Sequence, residues 1–367
     1  MFIKKNNQST KNYFMDLARK QAKYVLGNTG SNPAVGCVIV KNGCVISADR
    51  TSYSGRPHAE FNAINNIKNK ARHTDLYVTL EPCSHYGRTP PCVNLIAKKK
   101  ISNVFFSVKD IDPRSHDKST NYLRKRSINV ENGILYKKVN PFYKSYFNCK
   151  KKELPFVTCK LAVSKDLYSK NIKKKWITNN FSRGRVHLLR STHDSLITTY
   201  KTIKDDNPRL DCRINGLKQR SPRLFILDKN LKISLKSEIF NIRSSANITI
   251  FYNKIKRSKI KKFKNLKIRL VRLNLDSKNK FNLKDVLANV RNFGHSRIFV
   301  ESGRNLIFNF IKNNLANELK LFISKNKIGK YGKNNIKNDI NLYLRTKKYK
   351  IEKVNLFGDK LINFRIK

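Results

Sequence analysis

The amino-acid sequence predicts an α/β protein of two domains, and three observations lead to this fold class. The chain has 367 residues, whereas one domain takes roughly 150. Predicted strands and helices alternate through both halves, as in layered α/β domains. The alternation is interrupted around residues 148–153, where a basic run precedes Pro155 and a new apolar strand. We therefore predict a first domain over residues 1–147 and a second over residues 153–367.

The elements of the first half can be assigned in order. Apolar side chains recur at helical spacing over residues 10–26, and Gly27 ends that helix. An apolar strand over residues 35–40 leads into Asn42-Gly43, which favours a tight hairpin with residues 44–48. The other predicted elements are a helix over residues 58–67, a strand over 76–80, a Pro/Gly-rich loop over 81–91, a helix over 92–99 and a strand over 104–108.

The second half continues the alternation without an internal repeat. Short apolar runs rich in β-branched and aromatic residues predict its strands, and longer amphipathic stretches predict its helices. In order, we predict a strand over residues 156–163, a helix over 182–191, strands over 195–199, 224–227 and 248–252, a helix over 283–292, a strand over 297–301, and a further helix after Ser302-Gly303.

The chain is strongly basic, with 79 Lys and Arg against 24 Asp and Glu, a net charge of +55. Clustered positive charge would favour nucleic-acid binding, because cations neutralise phosphates. Lysine is instead spread along the whole chain and accompanied by abundant Asn, Ile, Phe and Tyr, which also have A/T-rich codons. We interpret the charge mainly as base-composition drift on solvated faces. Affinity for polyanions and attraction of phosphorylated substrates are the alternatives.

The number and spacing of the cysteines and the length of the apolar runs indicate the cellular compartment. No stretch approaches the 18 or so apolar residues of a membrane span, and the first residues lack the apolar core of a secretion signal. The seven cysteines are odd in number and scattered, which favours reduced thiols or metal ligands over a disulfide framework. We expect a cytoplasmic protein with no membrane partner, in which Cys37, Cys44, Cys149, Cys159 and Cys212 are ordinary thiols.

One constellation carries clear chemistry: His58-Ala59-Glu60, then Pro82-Cys83, then Cys92. A catalytic zinc takes three N or S ligands and leaves a fourth position for water, which the metal converts to hydroxide near neutral pH. One histidine and two cysteines supply that set. Glu60 lies two residues from His58 and can act as general acid/base without ligating the metal. We predict that His58, Cys83 and Cys92 hold one Zn²⁺ and that Glu60 is catalytic.

These residues match the zinc deaminase signature, except that eight residues rather than two separate the cysteines. With that spacing, residues 79–92, 32–40 and 57–60 resemble the deaminase domain of the bifunctional riboflavin-biosynthesis deaminase/reductases. The resemblance implies a cytidine-deaminase-like three-layer α/β/α domain. Its substrate would be a small phosphorylated pyrimidine, 2,5-diamino-6-ribosylamino-4(3H)-pyrimidinone 5′-phosphate.

The resemblance also implies substrate contacts in this domain. Asn32 and His85 would contact the pyrimidine, and Arg88 would contact the phosphate. Thr51 stands where the family usually has a histidine, seven residues before the zinc histidine. One substrate contact therefore departs from the family pattern.

The second half resembles the C-terminal reductase domain of the same family, although it has no G-x-G-x-x-G loop. The resemblance implies a dihydrofolate-reductase-like α/β domain that uses NADPH to reduce the ribosyl group to ribityl. It is carried by residues 160–166, 176–178, 188–190, 202–210 and 300–303.

Carried over by position, the resemblance assigns two sets of residues in this domain. A glycine between a strand and a helix, as at Gly303, lets backbone N–H groups face a phosphate. Arg190 and Arg213 suit a phosphomonoester, because a guanidinium binds it bidentately. The residues implied for NADPH are Ala162, Trp176, Thr202, Asp206, Gly303, Arg304, Asn305, Leu306, Ile307, Phe308 and Asn309. Those implied for the reductase substrate are Lys160, Lys174, Arg190, Leu210, Arg213 and Glu301.

Several positions depart from the reductase pattern and leave alternatives open. Leu167 replaces a glycine, Lys173–Lys175 replaces a Gly/Ser-containing stretch, and Asn326 follows Lys325 where Pro-Lys is usual. One alternative is a deaminase with a degenerate reductase domain. A different class is a basic nucleic-acid-binding protein or nucleic-acid deaminase. The leading prediction is the bifunctional enzyme, acting as a homo-oligomer without a specific nucleic-acid partner.

Overall fold

The computed structural model describes residues 7–68, 70–255 and 257–367, without the side chains of residues 257–259. The chain forms two compact units, Met1–Glu153 and Leu154–Lys367. Residue 147, the predicted end of the first domain, lies within a helix that spans Lys144–Lys152. Glu153 ends this helix in the left-handed conformation, with a φ of 55°.

The first unit is a mixed sheet covered by helices. The strands, in sheet order β2-β1-β3-β4-β5, are antiparallel from β2 to β3 and parallel from β3 to β5. Its described elements are α1 (Gln8–Val25), β1 (Gly36–Lys41), β2 (Cys44–Arg50), α2 (Ala59–Asn66), β3 (Asp75–Leu80), α3 (Cys92–Lys98), β4 (Asn103–Val108), α4 (Lys118–Arg124), β5 (Asn129–Asn132), α5 (Tyr136–Val139) and α6 (Lys144–Lys152).

The hairpin between β1 and β2 confirms the prediction from Asn42-Gly43. Lys41 pairs with Cys44, so the loop contains only these two residues. Their φ angles are 50° and 78°, as a two-residue hairpin turn of the favoured type requires. The predicted helices and strands of this unit are also present, with ends that differ by no more than a few residues.

Close packing of α1 against the sheet depends on Gly36. A Cβ at this position would lie 1.9 Å from the backbone oxygen of Ala18, so any side chain would push the helix from the strand. Phe14, Met15 and Ala18 of α1 are buried in the core beneath. The packed sheet holds the carboxyl ends of β3 and β4 in place, and the predicted metal ligand Cys83 follows β3.

The second unit is built on a larger sheet. Its described elements are β6 (Phe156–Val163), β7 (Tyr168–Asn171), α7 (Asn180–Ser191), β8 (Ser195–Thr199), α8 (Tyr200–Asp206), β9 (Arg223–Leu227), α9 (Glu238–Ile242), β10 (Ile248–Tyr252), α10 (Arg257–Asn265), β11 (Arg269–Arg272), α11 (Leu283–Asn292), β12 (Arg297–Glu301), α12 (Arg304–Lys312), β13 (Glu318–Ile323), β14 (Gly332–Asn335), α13 (Lys337–Asp339), β15 (Tyr349–Ile351) and β16 (Lys360–Arg365).

In this described region nine strands form one sheet in the order β11-β10-β9-β8-β12-β6-β13-β16-β15. The strands from β11 to β13 are parallel, and β16 and β15 are antiparallel additions. Alternate side chains of β9 pack in two different cores. Phe225 and Leu227 lie in one core, and Leu224 and Ile226 lie in the other. The sheet is therefore covered on both faces. Among the described helices, none is long and apolar enough to cross a membrane.

Candidate active sites

The predicted metal ligands converge in the first unit. The ligand atoms of His58, Cys83 and Cys92 all lie within 4.8 Å of one another. Nδ1 of His58 is 3.6 Å from Sγ of Cys83 and 3.4 Å from Sγ of Cys92. Tetrahedral bonds of about 2.0 Å to nitrogen and 2.3 Å to sulfur place such atoms roughly 3.5 Å apart. The donor set and its spacing fit one zinc ion.

Three element ends bring these ligands together. His58 is the residue just before α2, and Glu60 lies in the first turn of that helix. Cys83 follows the carboxyl end of β3, and Cys92 opens α3 directly after Pro91. The backbone N–H of Cys92 donates to Sγ of Cys83 at 3.3 Å. The start of α3 thus favours negative charge on this sulfur.

The electrostatics of the site suit metal binding and proton transfer. The hydrogen bond from Cys92, with His58, lowers the pKa of Cys83 to about 4, although burial acts against it. The pKa of Cys92 is raised by its bond to Cys83 and by burial, so the two sulfurs share one proton that a metal would displace. Glu60 is 3% exposed, and burial raises its pKa to about 7, with His58 opposing.

The three residues assigned to the pyrimidine substrate lie in two loops. The side-chain amide of Asn32 donates to the carbonyl of Gly55 at 3.0 Å. Gly55 has a φ of +92°, and a Cβ there would lie 2.6 Å from that amide nitrogen, so glycine is required to place Asn32. His85 and Arg88 lie in the loop between the two cysteines, half-buried and exposed respectively.

Ser115 holds His85 and was not identified from the sequence. Its Oγ lies 2.9 Å from Nδ1 of His85, and it accepts from the backbone N–H of Ser84 at 3.4 Å. Ser115 is fully buried. Its loop is tied to the end of β3 by Glu81, whose carboxylate accepts from Ser119 and from the backbone N–H of Asp110. No spacing rule links residue 115 to residue 85, so only the fold shows this contact.

Thr51 does not face outward as a substrate contact would. It is 1% exposed, and its Oγ accepts from the backbone N–H of Val35 at 3.0 Å. The departure from the family pattern at this position is therefore accommodated by the scaffold.

An ion-paired cluster in the second unit brings together three residues that the resemblance assigns to the reductase substrate. Arg190 donates to both oxygens of Glu301, at 2.9 and 3.0 Å. Nζ of Lys160 is 3.5 Å from Oε1 of Glu301, because residues 160 and 301 are paired in β6 and β12. Burial alone would raise the pKa of Glu301, but Arg190 and Lys160 lower it to about 2. Glu301 is therefore an anion at neutral pH.

Arg213 and Leu210 lie beside this cluster. Leu210 is 3% exposed and has a φ of 55°, whereas the side chain of Arg213 is 44% exposed. Nη2 of Arg213 lies 3.2 Å from Nε2 of His187. Nη1 of Arg190 donates a further hydrogen bond to the backbone carbonyl of Asp211 at 2.8 Å. Arg213 is thus the more accessible of the two arginines assigned to the phosphate.

Three hydroxyls mark the proposed cofactor region. Oγ1 of Thr202 is 2.8 Å from Oγ of Ser302 and 3.0 Å from Oγ1 of Thr199, which is itself 3.1 Å from Ser302. The cluster joins the end of β12 to the start of α8. Gly303 then precedes α12, and within the described chain a Cβ at Gly303 would meet no heavy atom within 4 Å.

This arrangement fits the phosphates of NADPH. The first turn of α12 has backbone N–H groups without partners in the helix, and open space at Gly303 lets an anion reach them. The side chains of Ile307 and Phe308, by contrast, pack in the core. Contacts of these two residues with a cofactor would therefore have to come from the backbone.

The other residues assigned to NADPH or to the reductase substrate do not form one hydrogen-bonded cluster. Trp176 is 55% exposed, with the guanidinium of Arg183 4.8 Å from its ring centroid. Burial raises the pKa of Asp206, with Lys170, Lys175 and Lys160 opposing. Lys160 is thus near enough to Asp206 to act on its charge. Ala162 is half-buried in β6, and the Lys174 side chain is exposed.

Comparison with known proteins adds a family to this geometry. Residues 8–108 match the family described as the cytidine and deoxycytidylate deaminase zinc-binding region. Residues 155–358, more than half of the chain, match the RibD C-terminal domain. The riboflavin biosynthesis protein RibD of Aquifex aeolicus is 31% identical over 359 residues, covering 97% of this chain and 98% of the relative. The chain belongs to the RibD family.

Further relatives agree with this membership. RibD of Buchnera aphidicola is 32% identical, covering 95% of this chain and 96% of the relative. A solved structure of Acinetobacter baumannii RibD has a TM-score of 0.83 at 25% identity, covering 98% of this chain and 99% of that one. A Thermotoga maritima structure, described as a diaminohydroxyphosphoribosylaminopyrimidine deaminase/5-amino-6-(5-phosphoribosylamino)uracil reductase, has a TM-score of 0.81 at 27% identity, covering 98% and 99%.

Membership in the RibD family confirms the bifunctional enzyme predicted from the sequence, and the homo-oligomer stays a prediction. The chain is a bifunctional enzyme of riboflavin biosynthesis with deaminase and reductase activities, and zinc and NADPH are its cofactors. The expected fold, a cytidine-deaminase-like domain followed by a dihydrofolate-reductase-like one, is also confirmed. The two alternatives, a degenerate reductase and a nucleic-acid protein, are not favoured by these findings.

Two of the three departures from the RibD reductase pattern, Leu167 and Asn326, are accommodated at the turn after β6, whereas no contact among the described residues explains Lys173–Lys175. Leu167 has a φ of 68°, a conformation that costs a non-glycine residue about 1 kcal/mol. The turn is nevertheless closed, because the carboxylate of Asp166 accepts from the backbone N–H groups of Ile328 and Gly329 at 3.0 and 2.8 Å. Asn326 contributes a carbonyl to the N–H of Lys165 at 2.8 Å.

Proposed function

We propose that this enzyme first removes an amino group from 2,5-diamino-6-ribosylamino-4(3H)-pyrimidinone 5′-phosphate and then reduces the ribosyl group of the product to ribityl. Residues 1–147 would carry the deaminase and residues 153–367 the reductase. The Thermotoga maritima relative is described with the same two activities. The observation that carries the proposal is the convergence of His58, Cys83 and Cys92 beside the buried Glu60.

In the deaminase, His58, Cys83 and Cys92 would hold zinc. When bound, zinc lowers the pKa of a water and so supplies a nucleophile near neutral pH. Glu60 carries the proton: with a pKa of about 7, its carboxyl group can take a proton from water and give it to the departing amine. Water is consumed and ammonia leaves. Asn32 and His85 would orient the ring, and Arg88 would bind the phosphate.

In the reductase, Gly303–Asn309 and Thr202 would hold the phosphates of NADPH, with Ala162, Trp176 and Asp206 along the same cofactor. When bound, NADPH supplies the hydride. Glu301, at the end of β12, fixes Arg190 of α7 and Lys160 of β6, and these cations would face the anionic substrate. Arg213, being exposed, would bind the ribosyl phosphate directly. Lys174 and Leu210 would complete the substrate contacts.

We also propose a cellular location and an oligomeric state for the enzyme. We place it in the cytoplasm, as a homo-oligomer without a specific nucleic-acid partner. Its +55 charge would give only weak, salt-sensitive attraction to polyanions. Sedimentation analysis of the purified chain tests the oligomeric state.

The proposal is tested by Glu60→Gln. This variant keeps about one zinc per chain, because the carboxylate is not a ligand, but it loses deamination by roughly 10²–10⁴-fold, as expected for a general acid/base. Metal analysis and ammonia release are the measurements, and Cys83→Ser is the control that loses the zinc as well. Near-normal ammonia release by Glu60→Gln, or active protein without zinc, would contradict the proposal.

A further inference from the structure

His187 lies among three arginines of the second unit, Arg183, Arg190 and Arg213. Arg183, His187 and Arg190 are spaced by four and three residues along α7, so they share one face of the helix. The loop that carries Asp211 and Arg213 packs against this face, and His187 contacts both residues. The half-buried imidazole therefore stands between the buried Arg190 and the exposed Arg213.

The shortest contacts of His187 favour one tautomer. Nδ1 lies 3.0 Å from the carbonyl oxygen of Asp211, which can only accept, so we assign the hydrogen to Nδ1. Two donors lie farther from this atom, the backbone N–H of Arg213 at 3.3 Å and Nη1 of Arg190 at 3.4 Å. Nε2 lies 3.2 Å from Nη2 of Arg213, which can only donate, so Nε2 accepts. A neutral imidazole satisfies both contacts at once. A protonated ring would turn a second donor toward a guanidinium.

The charges around His187 favour this neutral form. Burial lowers the pKa of His187, and the cations Arg190 and Arg213 lower it further. The carbonyl and the carboxylate of Asp211 act in the opposite direction but do not reverse the shift. Arg183, on the same face, lies close enough to Arg213 for the two cations to affect each other. At neutral pH the ring is therefore an acceptor toward Arg213.

Among the described residues, few other contacts hold the Arg213 side chain. Its nearest carboxylate oxygen, Oδ1 of Asp211, is 3.8 Å away, and Asp211 is also paired with Arg209 at 3.3 Å. An exposed arginine loses considerable rotamer entropy when it is fixed on a ligand. A neighbouring side chain that already holds the guanidinium before the ligand binds reduces this entropy loss on binding.

We propose that His187 is a positioning residue of the reductase, whose Nε2 atom holds the guanidinium of Arg213 ready for the substrate phosphate. The inference rests on the proposed function, which assigns Arg213 to that phosphate. Because the contact acts on phosphate binding, it affects KM for the phosphorylated substrate. It does not affect the hydride-transfer rate once substrate is bound.

Steady-state reductase kinetics on the deaminated product, with and without its phosphate, test the proposal. His187→Leu removes the acceptor and raises KM for the phosphorylated compound about 5–10-fold, the loss expected for one hydrogen bond, while kcat stays within about twofold. His187→Gln restores an amide that can donate and accept, and brings KM back toward the wild-type value. On the compound without phosphate, the variants have the same KM. Arg223→Gln, at the start of β9, is the arginine control and leaves KM unchanged.

Two further variants separate the outcomes. Arg213→Gln raises KM for the phosphorylated compound, and adding His187→Leu to it raises KM no further, since coupled contacts are not additive. If Leu impairs folding, His187→Asn replaces it, because its amide is too short to reach Arg213.

The possible failures are distinguishable. If Arg213→Gln leaves KM unchanged, the phosphate assignment in the proposed function is wrong. If Arg213→Gln raises KM but His187→Leu does not, the assignment holds and the positioning role is overturned. An equal effect of His187→Leu on both compounds, or on kcat, would show a merely structural role and would also overturn it.

Discussion

Each unit places a glutamate at the centre of a site, buried for Glu60 and half-buried for Glu301, and their surroundings give the two residues opposite properties. Glu60 is buried beside thiols and an imidazole, and its pKa is raised to about 7. Burial would also raise the pKa of Glu301, but Arg190 and Lys160 lower it to about 2. Glu60 can therefore exchange a proton at neutral pH, whereas Glu301 is a fixed anion. Burial alone does not decide the role of a carboxyl group; its charged neighbours do.

The largest difference between the units is expected on removing zinc. Treatment with a strong chelator should reduce ammonia release by more than about 10³-fold, because a water outside the metal has a pKa near 15.7 rather than about 7. NADPH oxidation on the deaminated product should continue at its original rate. Re-addition of zinc, as the control, should restore ammonia release. A parallel loss of both activities would break the comparison, since it would mean that the second site also needs the metal.

A smaller effect is expected on the free energy of unfolding of the second unit as the pH falls. The pKa of Glu301 is about 2 in the folded chain and near 4.3 when unfolded. Its contribution to the free energy of unfolding is therefore complete above the unfolded value and is lost as pH falls toward 2. The loss is on the order of 3 kcal/mol. The advantage of the wild type over Glu301→Gln should shrink accordingly between pH 5 and 2.

The single tryptophan makes this measurement specific to one unit. Trp176 belongs to the second unit, so its fluorescence during denaturation reports the unfolding of that unit. Glu60→Gln makes the same substitution in the other unit and should leave the Trp176 transition unchanged. A wild-type advantage over Glu301→Gln that stays constant down to pH 2 would show that Arg190 and Lys160 do not lower the pKa of Glu301.

The smallest effect is expected from the support of the deaminase loop. Ser115→Ala removes the hydroxyl that holds His85 at 2.9 Å, and should raise the deaminase KM about fivefold, as for one hydrogen bond of about 1 kcal/mol. Ser107→Ala is a matched control, because that serine is also buried but its Oγ has no hydrogen-bond partner among the described residues. Equal KM values for the two variants would show that His85 does not depend on Ser115.

The two sites also differ in how far the sequence predicts them. The deaminase centre lies between His58 and Cys92, and its ligands are residue types that zinc requires, so short-range spacing was sufficient. The reductase centre joins Lys160 to Glu301 across neighbouring strands, and neither residue type is diagnostic alone. Only resemblance to a family indicated them.

Contacts that depend on the tertiary fold were missed in both units. The side chain of Ser115 contacts His85, and Ser302 contacts Thr202 at 2.8 Å. Loops bring these residues together, and the local sequence pattern does not predict the conformation of those loops. Helices and strands with strong periodicity were predicted well, as in the hairpin at Asn42-Gly43. Short edge strands such as β7, β14 and β15 carry few residues and were not assigned.

The central claim is that two glutamates serve two separate sites, and mixing two variants tests it most directly. NADPH oxidation is measured with the diaminopyrimidinone phosphate as the only substrate. Glu60→Gln alone should oxidise little NADPH, because no deaminated product forms, and Glu301→Gln alone should release ammonia but oxidise little NADPH. Together they should restore NADPH oxidation, since each supplies the intact site that the other lacks. A mixture that stays inactive, or a Glu301→Gln variant that releases no ammonia, would contradict the account.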